Sequence, residues 1–526
     1  MRFDKAFILD NFKTTSDVDK QEFSVDLENF NINAKGHIVP GDVFFRLNDE
    51  VSRINNSHLP FFTPYLFAEI KNLYLGNGGG FIAPPRDPNY NFQIYTELIL
   101  GMSRDDKRLD IYTAKYSPTN KTLNFTFKRT LEGTFDKPVS FKQFYRNYYI
   151  ANGHDKLIAM TEDADDTYYT DNEAVPVASC VEEYKNHLFC AGDPQNPNLI
   201  VVSAVGNGLD WTGENGSYDN FFNVGLDDTD AIVGLKNFND KLYIFKEKTL
   251  WVLQGYSYES FQIYKIADIG AIEQSAIEIL NGALYFIGDN FMLYRITDTI
   301  TNLSYGRADV ENLEYTYYSE NNDVPYLYSN NNILYIGYWG HTIYLYDTMK
   351  DMFSKSATSF YNIIRTKIID GKYFNIAINR SGLNIVVSED KDVQALYSYY
   401  GDRSDFVGRF ISHPKKLKLK FFLTDDNIEK TLKYLYVNFY KEIYDIVRLL
   451  IKYDGDYIFD KNIHGKFEID NLYRLPLIQI KKEIEVELFL QGSFNPYDSE
   501  ERRLKKFIFK KIGFMYNERR KKYGII

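Results

Sequence analysis

A repeated two-strand module limits what this chain can fold into more than any other feature. A short run rich in Tyr, Leu and Ile is followed by a turn of Asn, Gly, Asp or Lys and then by a second run of the same character. The pairs fall at 148–151 and 156–159, 188–191 and 199–202, 242–245 and 249–252, 284–287 and 291–294, 334–337 and 342–345, and 373–376 and 383–386. First strands therefore start at 148, 188, 242, 284, 334 and 373, in steps of 40, 54, 42, 50 and 39 residues. A four-stranded propeller blade occupies about 40 to 50 residues and cannot bury both of its faces alone; stacking blades around an axis supplies the missing core. The spacing predicts an all-β chain built on a divergent β-propeller of six or seven blades, with a first blade drawn from residues near 66 to 130. Regular hairpins also build sandwiches and β-solenoids, but solenoid periods are shorter and more uniform. The Trp-Asp blade signature is missing: tryptophan occurs only at 211, 251 and 339.

Composition agrees with a folded, strand-rich chain. Tyr (44) and Phe (40) are abundant, bringing aromatics to 17% of the chain, and aromatics favour strands. At 526 residues the chain exceeds one ordinary core. The expected division is an N-terminal arm over 1–60, a propeller over 61–410 and a C-terminal antiparallel β-sandwich-like domain over 411–526. The arm lacks long apolar runs and reads either as a segment packed on a neighbour or as a solvated leader. Past Tyr400 the style changes to strict alternation, as in Lys416-Leu417-Lys418-Leu419-Lys420-Phe421 and Glu483-Ile484-Glu485-Val486-Glu487-Leu488-Phe489. That period of two marks an antiparallel sheet with one wet face. Asp454-Gly455 reads as a hairpin turn within it.

Charge divides along the same boundary. Residues 411–526 hold 24 basic and 17 acidic groups, a net of +7, while residues 1–410 hold 37 basic and 55 acidic groups, a net of −18. An acidic body does not release phosphate counterions on contact, which argues against a tight grip on DNA or RNA. Two cysteines make no disulfide framework, and no apolar run reaches 18 residues. The start, Met1-Arg2-Phe3-Asp4-Lys5, lacks a secretory pattern. The expectation is synthesis in the cytoplasm without a membrane-spanning segment.

Chemical constellations are sparse. The histidines at 37, 58, 154, 187, 341, 413 and 464 are too far apart in sequence for a local zinc pair. Gly76-Asn77-Gly78-Gly79-Gly80 ends in Phe81-Ile82 instead of Lys-Ser/Thr and reads as a turn rather than a phosphate cradle. Cys180 and Cys190 fall on candidate neighbouring strands and read as buried free thiols. Three acidic clusters, Glu162-Asp163 with Asp165-Asp166, Asp227-Asp228 with Asp230, and Asp454 with Asp456 and Asp460, lack the spacing of a calcium loop and read as solvated turns. Ser388-Glu389-Asp390 lacks the glycine and tryptophan of a sialidase-type turn. No catalytic, cofactor-binding or metal-binding residue is therefore assigned. The terminal basic groups, Arg502-Arg503, Lys505-Lys506, Lys510-Lys511 and Arg519-Arg520-Lys521-Lys522, interleave with aromatics and read either as a solvated strand face or as a strand that docks on an acidic neighbour or on phosphate.

One stretch carries a resemblance. Val181-Glu182-Glu183-Tyr184-Lys185-Asn186-His187-Leu188-Phe189-Cys190-Ala191-Gly192, followed by Leu209-Asp210-Trp211-Thr212, resembles the β-propeller tail tube or nozzle (tail hub) proteins of short-tailed bacteriophages. The segments 228–235 and 238–255 and the strand Gly282-Ala283-Leu284-Tyr285-Phe286-Ile287-Gly288 are similar to the blades that follow in that family. They fall within residues 177–300, about a quarter of the chain. The resemblance implies a non-enzymatic virion tail component, assembled in the host cytoplasm as a homo-oligomeric ring, typically a hexamer. The genome DNA would pass through the lumen without specific binding, and a portal adaptor, other tail proteins and tail fibres would be the partners. A carbohydrate-binding or carbohydrate-cleaving propeller, such as a receptor-binding tail protein, is the alternative, and a cytosolic scaffold propeller is a third.

Overall fold

The computed structural model describes residues 5–9, 23–28, 30–33, 35–40, 43–46, 66–75, 93–105, 107–117, 122–135, 139–145, 147–161, 167–168, 174–212, 220–225, 229–257, 260–305, 326–330, 332–337, 343–356, 362–369, 372–379, 382–387, 393–394, 396, 410–411, 415–421, 428–442, 446–464, 467–480, 484–491, 497–498, 503–504 and 506–520. Its regular secondary structure is almost entirely strand. The N-terminal region supplies β1 (Lys5–Leu9), β2 (Phe23–Glu28), β3 (Phe30–Ile32), β4 (Ile38–Pro40) and β5 (Val43–Arg46). Blade one is β6 (Leu66–Leu75), β7 (Gln93–Asp105), β8 (Arg108–Ser117) and β9 (Thr122–Glu132). Blade two is β10 (Ser140–Phe144), β11 (Asn147–Ala151), β12 (Ile158–Thr161) and β13 (Thr167–Tyr168). Blade three is β14 (Cys180–Tyr184), β15 (His187–Asp193), β16 (Asn196–Val202) and β17 (Phe221–Asn223). Blade four is β18 (Ile232–Phe238), β19 (Lys241–Lys246), β20 (Leu250–Gln254) and β21 (Gln262–Ala267). Blade five is β22 (Ile277–Leu280), β23 (Ala283–Ile287), β24 (Leu293–Ile296) and β25 (Ile300–Asn302). Blade six is β26 (Tyr326–Asn330), β27 (Ile333–Gly337), β28 (Ile343–Asp347) and β29 (Met352–Ser356). Blade seven begins with β30 (Asn362–Ile369), β31 (Lys372–Asn379) and β32 (Gly382–Val387). Each sheet is antiparallel and runs in chain order, so the protein is a β-propeller.

The blades stack because their second strands are apolar on both sides. Along β15, Phe189 and Ala191 face blade four, where they meet Ile232, Leu235 and Ile244, while Leu188 and Cys190 face blade two and meet Tyr149, Ala151 and Leu157. The period of two in a strand makes this division automatic. The same sharing recurs between blades one and two (Leu109, Ile111 against Tyr148, Ile150), four and five (Phe245, Val252 against Leu284, Phe286), and five and six (Tyr285, Ile287 against Leu334, Tyr346). Polar side chains bridge neighbouring first strands. Gln274, in a single 3-10 turn, accepts from the Leu235 amide at 2.7 Å and donates to the Leu235 carbonyl at 3.0 Å, joining blades four and five. Ser140 Oγ accepts from the Val181 amide at 3.1 Å between blades two and three. β30 lies beside both β26 and β6, which closes the circle.

Closure uses the N-terminus. β5 pairs antiparallel with β32 and supplies the fourth strand of blade seven, with β33 (Phe410–Ile411) on its far side. The sequence suggested an arm here. A strand whose partner lies at the far end of the propeller sequence leaves no local hairpin signal, which is why the sequence reads as an arm and not as part of a blade.

The remaining strands are β34 (Lys415–Phe421), β35 (Ile428–Lys441), β36 (Ile446–Tyr453), β37 (Asp456–Ile463), β38 (Phe467–Ile480), β39 (Ile484–Gln491), β40 (Tyr497–Asp498), β41 (Arg503–Leu504) and β42 (Phe507–Arg520). One sheet runs β3-β4-β42-β35-β38, with β1 also on β42; the other runs β2-β34-β39-β36-β37 and continues blade six through a parallel contact of β2 with β29. Leu417, Leu419, Val486 and Leu488 from the second sheet pack with Leu435, Val437, Phe509 and Phe514 from the first, so the two sheets form a sandwich. Leu27, Phe30 and Ile38 from the N-terminal strands belong to the same core. Gly513 permits the approach of β1: a Cβ there would lie 2.4 Å from the Phe7 carbonyl oxygen. Asp454 and Gly455 both take positive φ, 54° and 88°, and form the hairpin turn between β36 and β37.

Candidate functional site

In antiparallel blades the turns between first and second strands and the loops between third and fourth strands emerge on one face. On that face blades two, three and four are tied together. The turns pair left-handed residues: Lys185 and Asn186 (φ 49° and 67°), Asn239 and Asp240 (47° and 60°), Asn281 and Gly282 (49° and 73°). This backbone twist matches that of the flanking strands. Tyr145 occupies the corresponding first position in blade two, at φ 53°. Its hydroxyl donates to Asn186 Oδ1 at 2.5 Å, and Gly206 N donates to the Asn186 carbonyl at 2.8 Å. Lys185 pairs with Asp240, and its ammonium lies 4.1 Å from the ring centroid of Tyr256. Buried Tyr184 donates to the carbonyls of Asp240 (3.0 Å) and Gly255 (3.2 Å). Ser260 Oγ accepts from the amides of Tyr256 and Ser257, both at 3.0 Å, which fixes the loop carrying Tyr256. The sequence reading passed over Tyr145 and Tyr256. The available signal was a tyrosine at a turn position that blades four and five fill with asparagine.

The groups singled out in the sequence have structural surroundings. Cys180 and Cys190 are buried free thiols on adjacent strands. Cys180 is opposite Ala191 and Cys190 opposite Val181, so the two thiols lie on opposite faces of blade three and cannot join. Burial pushes the Cys180 thiol up to about 12 and the Cys190 thiol well above its ordinary value. Asp230 accepts from the Lys248 amide (2.8 Å) and from Thr249 Oγ1 (2.6 Å) within blade four. Asp460 receives a two-pronged bond from Arg448 at 3.1 and 2.7 Å, which holds its carboxyl below the usual range. Among the described residues no group of three or more His, Cys, Asp or Glu is arranged to hold a metal ion. His187 Nδ1 lies 2.7 Å from the Ser203 carbonyl oxygen, and its ring packs edge-on to Phe189 and Phe261. His58, His341, His413, the 76–80 glycine run, 162–166, Asp227, Asp228 and 388–390 lie outside the described residues.

The basic terminal strand is internal. β42 runs between β35 on one side and β1 and β4 on the other, burying Phe507, Phe509, Ile512 and Phe514, while Lys510 bonds Glu468 at 2.6 Å on the outward face. On the second sheet the alternating Lys and Glu of the sequence form a ladder: Lys418 to Glu485 at 2.8 Å, Lys452 to Glu487 at 3.0 Å and Lys416 to Glu487 at 3.6 Å. Each of these pairs is diagonal between neighbouring strands, a separation that long side chains span.

No protein-family model matches the chain, and no curated protein matches it. Solved structures that are similar to it include BamB from Moraxella catarrhalis (8% identity, 55% of this chain and 78% of that one, TM-score 0.32). Others are BBS1N in complex with ARL6DN (13%, 56% and 86%, 0.34) and the computationally designed Ika8 protein (8%, 55% and 92%, 0.33). Among the described residues no helix is long and apolar enough to cross a membrane.

Proposed function

We propose that this protein is a structural component of a short-tailed bacteriophage tail, acting by assembly and not by catalysis. Copies associate into a ring around the channel through which the genome leaves, and adaptor and fibre proteins attach to it. The observation that carries this reading is where the resemblance falls. Residues 181–192 and 209–212 belong to blade three and its outer loop, 229–235 and 238–255 to blade four and its approach, and 282–288 to blade five, three successive blades of one propeller. The charge division adds support: a net of −18 over 1–410 disfavours adhesion to a polyanion, and a net of +7 over 411–526 offers the opposite sign to a neighbouring copy.

Light scattering on the eluting purified chain, followed by negative-stain imaging, tests the reading. The expected result is a closed ring with an open bore. A monomer that binds or cleaves glycans overturns it in favour of a carbohydrate-directed propeller.

A further inference from the structure

Strands β1 to β5 are tied to the far end of the chain. Outside their own β3–β4 hairpin they pair only with β29, β32, β33, β34 and β42, all of which lie within 352–520. None of them pairs with a described strand between 66 and 351. Residues 47–65 join β5 to β6, and a connection of that length reaches at most about 65 Å when extended.

This segment contributes core. Leu9, Leu27, Phe30, Ile32 and Ile38 are all buried in the sandwich, and Phe7 and Phe30 pack on Phe421 and Phe507 with ring centroids 5.8 Å apart. β5 lies between β32 and β33, so it fills a slot and does not merely extend an edge. A permanent ring needs a large apolar interface. Among the described residues the exposed large apolar side chains are spread over blades one to six and the sandwich, so no one face collects them. The apolar surface of residues 1–46 is the kind that a ring needs, and it is already matched to a slot that every copy carries.

We propose that in the ring residues 1–46 are exchanged between copies: β5 of one copy completes blade seven of the next, and β1 to β4 complete its sandwich. The contacts are those of the single chain, made across a boundary between two. An exchange that runs head to tail closes into a ring when the rotation allows. It presupposes the proposed ring and gives it a core-like interface. The arm that the sequence suggested would pack on a neighbour is then the donated segment.

Disulfide trapping tests the exchange. Asp26 on β2 is the register partner of Lys418 on β34. Rings of Asp26→Cys with Lys418→Cys, oxidised and run on a denaturing gel without reductant, should give a ladder of covalently joined copies. Asp26→Cys copies co-assembled with Lys418→Cys copies should give a covalent pair and nothing longer, because each copy carries one half of the bond. Cys180 and Cys190 are buried and add no rungs. If the Asp26 variants do not assemble, Ala6→Cys with Met515→Cys, a register pair of β1 and β42, is read in the same way. Rings whose cross-links all lie within single copies overturn the exchange and leave ring assembly standing. An unaltered chain that stays monomeric overturns both.

Discussion

At the scale of single residues, the two cysteines link packing to a measurable pH dependence. Cys180 is buried, and desolvation of the thiolate raises its pKa from 9.0 to about 12. The folded state therefore keeps a proton that the unfolded chain releases above about 9, and stability falls as pH rises between those two values. The slope from this one group is about 1.4 kcal/mol per pH unit. Burial also raises Tyr184, Tyr243 and Tyr285, which act in the same direction at higher pH. Urea midpoints at pH 8 and pH 10.5 should show a smaller alkaline loss in Cys180→Ala than in the unaltered chain. An identical loss would mean that the thiol titrates freely. That these thiols would be buried was legible in the sequence, since both fall on candidate neighbouring strands of one blade. Their placement on opposite faces was not, because it depends on the register of β14 against β15.

At the scale of elements, the sequence reveals the strands that are buried on both faces and conceals the rest. Every repeated pair read from the sequence is the second and third strand of a blade, as in β19 and β20 or β23 and β24. First strands mix polar with apolar residues, as in Cys180-Val181-Glu182-Glu183-Tyr184, because one edge is free of strand pairing toward the axis. Fourth strands such as β17 and β25 are three residues long and partly exposed, too short to show a period. β5 is the extreme case, since its meaning lies wholly in its pairing with β32 and β33. A proline within it removes a ladder donor between two partners and leaves an acceptor unpaired, at a cost of about 1 to 3 kcal/mol. Phe45→Pro should therefore lower the melting temperature and open blade seven to protease first, with early cuts near 362–387. A cleavage pattern unchanged from that of the unaltered chain would show that β5 does not clasp the ring.

At the scale of the whole molecule, the boundary at 411 is a boundary of charge but not of folding. The sandwich core takes Leu27, Phe30 and Ile38 from the first forty residues, and β2 joins the sandwich sheet to blade six. Both ends of the chain are thus stitched across the two units, while the −18 and +7 charges remain on different parts of the sequence. If copies assemble with these parts in contact, long-range attraction accelerates the encounter and apolar burial holds the product. The two contributions separate by salt. Raising ionic strength from about 50 mM to about 500 mM shortens the screening length from roughly 14 Å to roughly 4 Å. Ring formation from diluted monomers, followed by light scattering, should slow by about tenfold over that range, whereas rings already formed should persist. A rate that rises with salt would mean that like-charged surfaces meet, and the pairing of acidic propeller with basic sandwich would have to be abandoned.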